Sequence, residues 1–202
     1  MKKHSILIAS LIWLFIACQP NGPVVEVYNE GVLYESYQIN EDSLMHGEYN
    51  RFYKEGNLAE SAGYKNGKLN GIRTIFYHNG TKEIEEIYKM DSLDGSYKSY
   101  YPSGELEFKC EYVNNKIQGK SYKYYESGQI MEEVLFKDNE ENGPFVEYYD
   151  NGEIEWKGSY LNGDNEFGIL EQYDRTGVLI KKMECDSLGA CITVWIKDEE
   201  SE

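Results

Sequence analysis

The chain has 202 residues, of which 41% are hydrophobic, and a formal net charge of −16. So acidic a balance argues against nucleic acid and against an anionic lipid surface as main partners, because nucleic-acid binding is dominated by neutralisation of phosphates. Solubility alone is enough to explain the charge. The 19 tyrosines suit half-buried positions rather than the aliphatic core of a compact globule.

The N-terminal residues have the pattern of an exported protein. Lys2 and Lys3 precede an apolar run over residues 6–17, which is too short to span a membrane comfortably. The run ends in Ala17-Cys18, which resembles a bacterial lipoprotein signal, although Phe15 replaces the usual leucine. We expect a signal peptide at residues 1–17, palmitate on Cys18 and a short tether at 18–21. The alternative is a plain signal peptide with an incidental cysteine.

This signal predicts the cellular localisation of the protein. The protein is expected in the cell envelope, anchored to a bacterial membrane and facing the periplasm or the exterior. Gln19 is not the aspartate expected of inner-membrane retention, which favours the outer membrane where one exists.

Two series of glycines reveal an internal repeat over residues 22–196. The first glycine of each repeat recurs at intervals of 24 or 25 residues, and a second glycine follows nine residues later. The first series is Gly22, Gly47, Gly71, Gly95, Gly119, Gly143 and Gly168, and the second is Gly31, Gly56, Gly80, Gly104, Gly128, Gly152 and Gly177. Such regularity is typical of a repeat architecture.

Each repeat is predicted to be a β-hairpin. Asn79-Gly80 and Asn151-Gly152 favour two-residue type I′ turns, which would fix the register. The pairs expected across the hairpins are Tyr53–Leu58, Tyr101–Leu106, Tyr149–Ile154, Tyr49–Ala62, Tyr97–Cys110 and Phe145–Gly158. The fold class is therefore all-β: an elongated, twisted, single antiparallel sheet of about seven tandem hairpins of 24 residues. Residues 191–196 are its last strand and 197–202 an acidic tail.

One aromatic position falls on the polar face of this register. Its members are Phe52, Phe76, Tyr100, Tyr124, Tyr148 and Tyr173. They form a spaced row, which we call the aromatic row and take as the candidate binding surface. The alternative is that curvature or a repacked second face buries these rings.

The remaining cysteines have structural interpretations. Cys185 and Cys191 flank a turn-like segment, and a hairpin there would set the two sulfurs side by side. A disulfide and two separate cysteines remain equal alternatives. Cys110 is expected to be a small apolar filler in a strand.

The repeat unit, G-x-[YF]-x-x-[YF]-Y-x-N-G-x-L-x-x-E-x-x-Y, resembles the MORN repeat variant found in bacterial proteins of the YwqK-type, antitoxin-like family. The resemblance covers nearly all of the expected mature chain. It implies a β-hairpin repeat that serves as a binding or scaffolding surface without chemistry of its own. The antitoxin-like label implies a toxin as a possible partner.

No catalytic constellation stands out in the sequence. His4, His46 and His78 are the only histidines, and no cysteine–histidine cluster has zinc spacing. Residues 138–143 carry oxygen donors like a calcium loop, but Tyr149 occupies the position where a bidentate glutamate belongs, so we expect a solvated connection. We predict no enzyme, cofactor or metal.

The leading function is a lipid-anchored scaffold that binds another protein. The alternatives are an antitoxin-like inhibitor and, in another class, a carboxylate-dependent envelope hydrolase or carbohydrate-binding accessory.

Overall fold

The structure, a computed structural model, describes residues 22–197. All regular structure in this range is β-strand. The strands are β1 (Val24–Asn29), β2 (Val32–Ile39), β3 (Met45–Phe52), β4 (Leu58–Lys65), β5 (Lys68–Phe76), β6 (Lys82–Lys89), β7 (Ser92–Tyr100), β8 (Leu106–Val113), β9 (Lys116–Tyr124), β10 (Ile130–Lys137), β11 (Glu140–Tyr148), β12 (Ile154–Tyr160), β13 (Gly168–Tyr173), β14 (Leu179–Cys185) and β15 (Cys191–Ile196).

The strands form one open antiparallel sheet in chain order. This confirms the predicted all-β fold of tandem hairpins. The predicted signal peptide and tether, with Cys18, and residues 198–202 of the predicted tail lie outside the described residues. Residues 22–197 contain no candidate membrane-spanning helix.

Backbone contacts divide the chain into two compact units. The first ends at Ser92, apart from Ile84–Glu86, which belong to the second. The second continues from Leu93. Both contain the same local hairpin geometry, so the repeat in the sequence produces a repeat in the backbone.

Two turns within the repeats differ from the prediction. At Asn151-Gly152, the amide of Gly152 donates to the carbonyl of Tyr149 (2.9 Å), and the amide of Tyr149 donates to the carbonyl of Glu153 (2.9 Å). These bonds close a three-residue loop, a type I turn followed by a left-handed glycine (φ +87°). Asn79-Gly80 has the same hydrogen bonds. The predicted two-residue type I′ turns are therefore wrong at both places.

Where the three-residue loop occurs, it shifts the register near the turn. Phe52 lies opposite Leu58, Tyr100 opposite Leu106, and Tyr148 opposite Ile154, each beside a bulge. The predicted pairs Tyr53–Leu58, Tyr101–Leu106 and Tyr149–Ile154 are wrong for this reason. Farther from the turn, beyond the bulge, the register is the predicted one. The pairs Tyr49–Ala62, Tyr97–Cys110 and Phe145–Gly158 are therefore confirmed.

Type I′ turns do occur, at Glu30-Gly31 in the first repeat and in the connections between repeats. There both central residues have positive φ, as that turn requires. These pairs are Asn66-Gly67, Met90-Asp91, Asn114-Asn115 and Asp138-Asn139. These two-residue loops are shorter than the three-residue loops at Asn79-Gly80 and Asn151-Gly152.

The first glycine of a repeat lies inside a bulge. Between the pairs Val134–Phe145 and Phe136–Glu141, the single residue Leu135 faces residues 142–144. Gly143 adopts φ +120°, and a Cβ added there would lie 2.7 Å from Cδ2 of Leu135. Only glycine fits this close approach without displacing the leucine.

The main hydrophobic cluster lies on one face of the second unit, which we call the core face. Val134, Phe145, Leu170 and Cys185 are its buried members, and Trp156, Tyr160 and Met183 are among the half-buried side chains packed on them. The rings of Phe145 and Tyr160 stack with their centroids 4.4 Å apart. Cys110 is also buried, with 3% of its surface exposed, and this burial raises the pKa of its thiol to about 12.

Candidate binding surfaces

Every member of the predicted aromatic row is half-buried. In the first unit, Phe52 borders a hollow of about 380 Å³, together with Leu33, Tyr34 and Lys54. In the second unit, the row comprises Tyr100, Tyr124, Tyr148 and Tyr173. The rings are thus neither fully exposed nor fully buried.

In the second unit, charged side chains from preceding strands contact three tyrosines of the row. The ammonium of Lys109 lies 5.5 Å from the centre of the Tyr124 ring. The hydroxyl of Tyr148 donates to Oε1 of Glu133 at 3.5 Å, and the ammonium of Lys157 lies 5.2 Å from the centre of the Tyr173 ring. Desolvation, followed by the charge of Glu133, raises the pKa of Tyr148.

These charged residues belong to a line of directly opposite side chains on the polar face, which is the face opposite the core face. The line runs through Lys98, Lys109, Tyr122, Glu133, Val146, Lys157, Glu171 and Lys182. Within the line, Glu171 lies between Lys157 and Lys182, and these opposite charges attract one another, whereas Lys98 faces the like charge of Lys109.

Glu171 is the centre of an ion cluster on this face. Its carboxylate accepts from the ammonium groups of Lys157 (2.7 Å) and Lys182 (2.6 Å). The hydroxyl of Tyr173, a member of the aromatic row, donates to the same carboxylate at 2.8 Å. The hydrogen bonds from Lys157, Lys182 and Tyr173 lower the pKa of Glu171 to about 2.

The backbone of the row is also held by side chains from the preceding repeat. The tyrosine next to a row residue donates its hydroxyl to the row residue's carbonyl in the following repeat. These bonds join Tyr53 to Phe76 (2.6 Å), Tyr101 to Tyr124 (2.7 Å), Tyr125 to Tyr148 (2.7 Å) and Tyr149 to Tyr173 (2.9 Å). This tyrosine ladder was not predicted from the sequence, because the predicted register paired those tyrosines with aliphatic residues.

The ladder ends in a local cap. Asp174 occupies the tyrosine position of the last repeat, and its Oδ1 accepts from the amide of Thr176 (2.8 Å), the hydroxyl of Thr176 (2.6 Å) and the amide of Val178 (3.1 Å). These bonds lower the pKa of Asp174, with the Thr176 hydroxyl as the largest cause. The turn of the last glycine repeat is thereby satisfied by its own residues.

A second ladder joins the type I′ turns. The side-chain oxygen of the second turn residue accepts from an amide 22 residues earlier: Leu69 to Asp91 (2.8 Å), Leu93 to Asn115 (2.7 Å) and Ile117 to Asn139 (2.6 Å). The amides of Asp91, Asn115 and Asn139 donate back to the carbonyls of the same partners. Successive repeats are therefore linked at both ends of their hairpins.

The core face of the second unit carries carboxylates beside its apolar cluster. Glu132 lies directly opposite Glu147, and Glu147 lies opposite Trp156. Desolvation is the largest cause that raises the pKa of Glu147, and Glu132 is the next. Desolvation, followed by Glu132 and Asp164, also raises the pKa of Glu141. The charged forms of Glu141 and Glu147 are therefore disfavoured at these positions.

The candidate disulfide and calcium segments are ordinary parts of the hairpins. Cys185 and Cys191 lie opposite each other in β14 and β15, and their sulfurs form a disulfide bond. In the segment 138–143, Asp138 accepts from Lys116 (3.1 Å) and from Gln118 (3.0 Å). Across residues 22–197, the only convergent group of potential metal ligands is Glu166 with the two disulfide sulfurs, and disulfide sulfurs are not thiolate ligands.

Backbone and side-chain hydrogen bonds that recur with the sequence period define this chain as a tandem β-hairpin repeat protein. A model of the MORN repeat variant matches residues 45–66, 69–90, 93–114, 117–138 and 141–162. These segments cover just over half of the chain, and the protein belongs to the MORN repeat variant family. MORN repeats are generally modules that bind proteins or membranes and are not typically enzymatic. No curated protein matches the chain.

Proposed function

We propose that the protein is a lipid-anchored component of the bacterial cell envelope that binds a partner protein through the aromatic row. The proposal depends on one observation: successive tyrosines of the row are held in place by charged neighbours. Tyr124, Tyr148 and Tyr173 each contact a charged side chain of a preceding strand. Tyrosine is enriched at binding hot spots, where its ring is buried and its hydroxyl finds a polar partner.

Fixed rings also lower the entropic cost of binding. A side chain that is immobilised only in the complex costs roughly 0.5–1.5 kcal/mol of binding free energy. The contacts of Lys109, Glu133 and Lys157 restrict three rings before any partner arrives. A partner with apolar and hydrogen-bonding groups at the spacing of the hairpins fits this surface.

Site-specific crosslinking in intact cells tests the surface. A photoreactive residue replaces Tyr124, and we expect a crosslink to one protein in constant ratio to the bait. A pull-down of the crosslinked partner then compares the triple substitution Tyr100→Ser, Tyr124→Ser and Tyr148→Ser, which carries no photoreactive residue, with Tyr28→Ser, a change at an exposed tyrosine in the first unit. The purified triple variant must first give a wild-type circular dichroism spectrum. If it captures the partner as well as wild type does, the row is not the binding surface.

The anchor rests on the sequence alone. Ala17-Cys18 after the apolar run supports lipidation of Cys18. Metabolic labelling with palmitate should label the wild-type protein, and Cys18→Ser should abolish the label. Cys110→Ser provides a matched control, because Cys110 is a buried free cysteine. Label that persists in Cys18→Ser would disprove the anchor and leave the binding surface untouched.

An antitoxin-like inhibitor is the second candidate. The excess of 36 acidic over 20 basic residues favours association with a basic partner, because complementary charge accelerates encounter. In that case the crosslinked protein is a toxin, and its purified activity falls on addition of this protein in stoichiometric amount. A partner that shows no toxicity and no inhibition supports the scaffold instead.

A further inference from the structure

A small cavity lies on the core face of the second unit, among β8, β9, β10 and β11. Its volume is about 130 Å³, and its lining includes Phe108, Ser121, Lys123, Glu132, Phe136 and Glu141. That volume equals the liquid volume of about four water molecules. The lining combines two aromatic rings with acidic side chains, so the cavity is suited to a small group that is both apolar and polar.

Ser121 gives the cavity its unsatisfied polar group. Only 2% of this residue is exposed, and its Oγ has no hydrogen-bond partner among the described residues. At the same position other repeats carry Tyr97, Phe145 and Leu170, so a small polar residue here leaves space that a large side chain would fill. An unsatisfied buried hydroxyl costs about 1–3 kcal/mol. A ligand that reaches Oγ would remove that cost.

The carboxylates determine the charge of the group that fits. Glu132 and Glu141 line the cavity, and Glu147 lies directly opposite Glu132 in the next strand. Like charges directly opposite each other on adjacent strands are destabilising. Lys123, the one cationic residue of the lining, is itself exposed and lies opposite Glu132. A cation between the carboxylates would relieve the part of their mutual repulsion that the exposed Lys123 does not neutralise.

The lining favours an organic cation over a metal ion. A tightly bound divalent metal requires several convergent oxygen ligands, and in the range 22–197 Glu132 and Glu141 belong to no convergent group of three potential ligands. The rings of Phe108 and Phe136 instead suit an alkyl chain that ends in a positive charge, through burial and cation–π attraction.

We propose that this cavity binds an alkylammonium group, with Glu132 and Glu141 as its charge partners, Ser121 Oγ as a hydrogen-bond acceptor, and Phe108 and Phe136 around its methylene groups. The group belongs either to a free primary amine or to a lysine side chain of another protein. This site lies on the face opposite the aromatic row and does not depend on the proposed function.

An NMR titration of the full chain tests the proposal. n-Butylammonium should shift the amide signals of residues 121, 132 and 141 saturably, and neutral 1-butanol at equal concentration should not. Acetyl-lysine-methylamide is compared with its norleucine counterpart. Binding of the lysine compound identifies protein lysine as a source, whereas binding of butylammonium alone indicates a free amine. Absence of binding by both amines, or equal binding of the neutral compounds, would overturn the proposal.

Substitutions locate the site. Glu132→Gln and Glu141→Gln should each weaken butylammonium binding by about tenfold, the loss expected for one charge-assisted hydrogen bond. Ser121→Ala should weaken it less, and Lys123→Met should strengthen it because a competing positive charge is removed. Glu184→Gln, an exposed carboxylate on β14, should leave affinity unchanged. Wild-type affinity in both Glu132→Gln and Glu141→Gln would contradict the proposal, and chemical-shift dispersion verifies that each variant is folded.

Discussion

The hydroxyl of Tyr101 donates a 2.7 Å hydrogen bond to the backbone carbonyl of Tyr124, which lies 23 residues later. The bond links the turn end of one hairpin to the turn end of the next. It also fixes the backbone of an aromatic-row residue from outside its own repeat. The partly desolvated Tyr101 side chain has a raised pKa, chiefly because of that desolvation.

Tyr101→Phe should destabilise the protein by about 1 kcal/mol, the typical net value of one intramolecular hydrogen bond. The ring remains, so only the hydroxyl is lost. Tyr28→Phe is the matched control, because the Tyr28 hydroxyl bonds the exposed side chain of Glu26. Urea unfolding measures both variants. Equal stability of Tyr101→Phe and wild type would show that the ladder contributes little.

Asn115 tests the ladder at the opposite ends of the hairpins. Its side chain accepts from the amide of Leu93 at 2.7 Å, and its φ is +64°. Asn115→Ala loses the acceptor and places alanine in a left-handed conformation, so we expect a loss of about 2 kcal/mol. Asn115→Gly relieves the backbone but still lacks the acceptor, and it should recover about half of that loss. Identical unfolding midpoints for the two variants would mean that backbone conformation is unimportant at this turn.

Glu171 should make stability depend on acid pH. Its pKa falls from 4.5 to about 2 in the folded protein. The stabilisation is therefore complete above the ordinary glutamate pKa, and it is lost as the pH falls from about 4.5 through about 2. Thermal unfolding between pH 6 and pH 2 should show a smaller decline for Glu171→Gln than for wild type. Glu184→Gln, an exposed neighbour on β14, should follow the wild-type curve.

Glu147 should behave in the opposite way. Desolvation and Glu132 raise its pKa in the folded state, so its charged form is unfavourable and its contribution to stability improves as the pH falls through the raised value. At pH 7, Glu147→Gln should be stabilising by roughly 0.2–1 kcal/mol, the range of a cross-strand pair. The advantage over wild type should shrink near pH 4. Destabilisation at pH 7 would show that Glu147 has a favourable partner.

The sequence was sufficient to predict the repeat, the hairpins and the residue pairs far from the turns. Alternation along a strand determines which face Tyr49 and Phe145 occupy, and their partners follow from it. The turn type was not determined, because both the two-residue and the three-residue loop place a left-handed glycine last. The resulting one-residue change moved Tyr53, Tyr101 and Tyr149 away from the aliphatic partners predicted for them.

The surfaces were predictable only in part. Periodicity identified the aromatic row on the polar face, but not the contacts of Lys109 and Lys157 with its rings, because long side chains have many conformations. Ser121 did carry a signal in the sequence. A serine where other repeats have tyrosine, phenylalanine or leucine indicates missing volume, and a comparison of repeats position by position would have found it.

The cap at Asp174 gives the tyrosine ladder a direction. Every tyrosine of the ladder donates to a backbone carbonyl of the following repeat, so it needs a following repeat. Asp174 instead accepts hydrogen bonds from its own turn and needs none. Duplication of an internal stretch such as residues 119–142 supplies one new donor together with one new acceptor. Descendants of this gene can therefore gain or lose whole hairpins without a new terminus having to evolve, so long as the final repeat stays last.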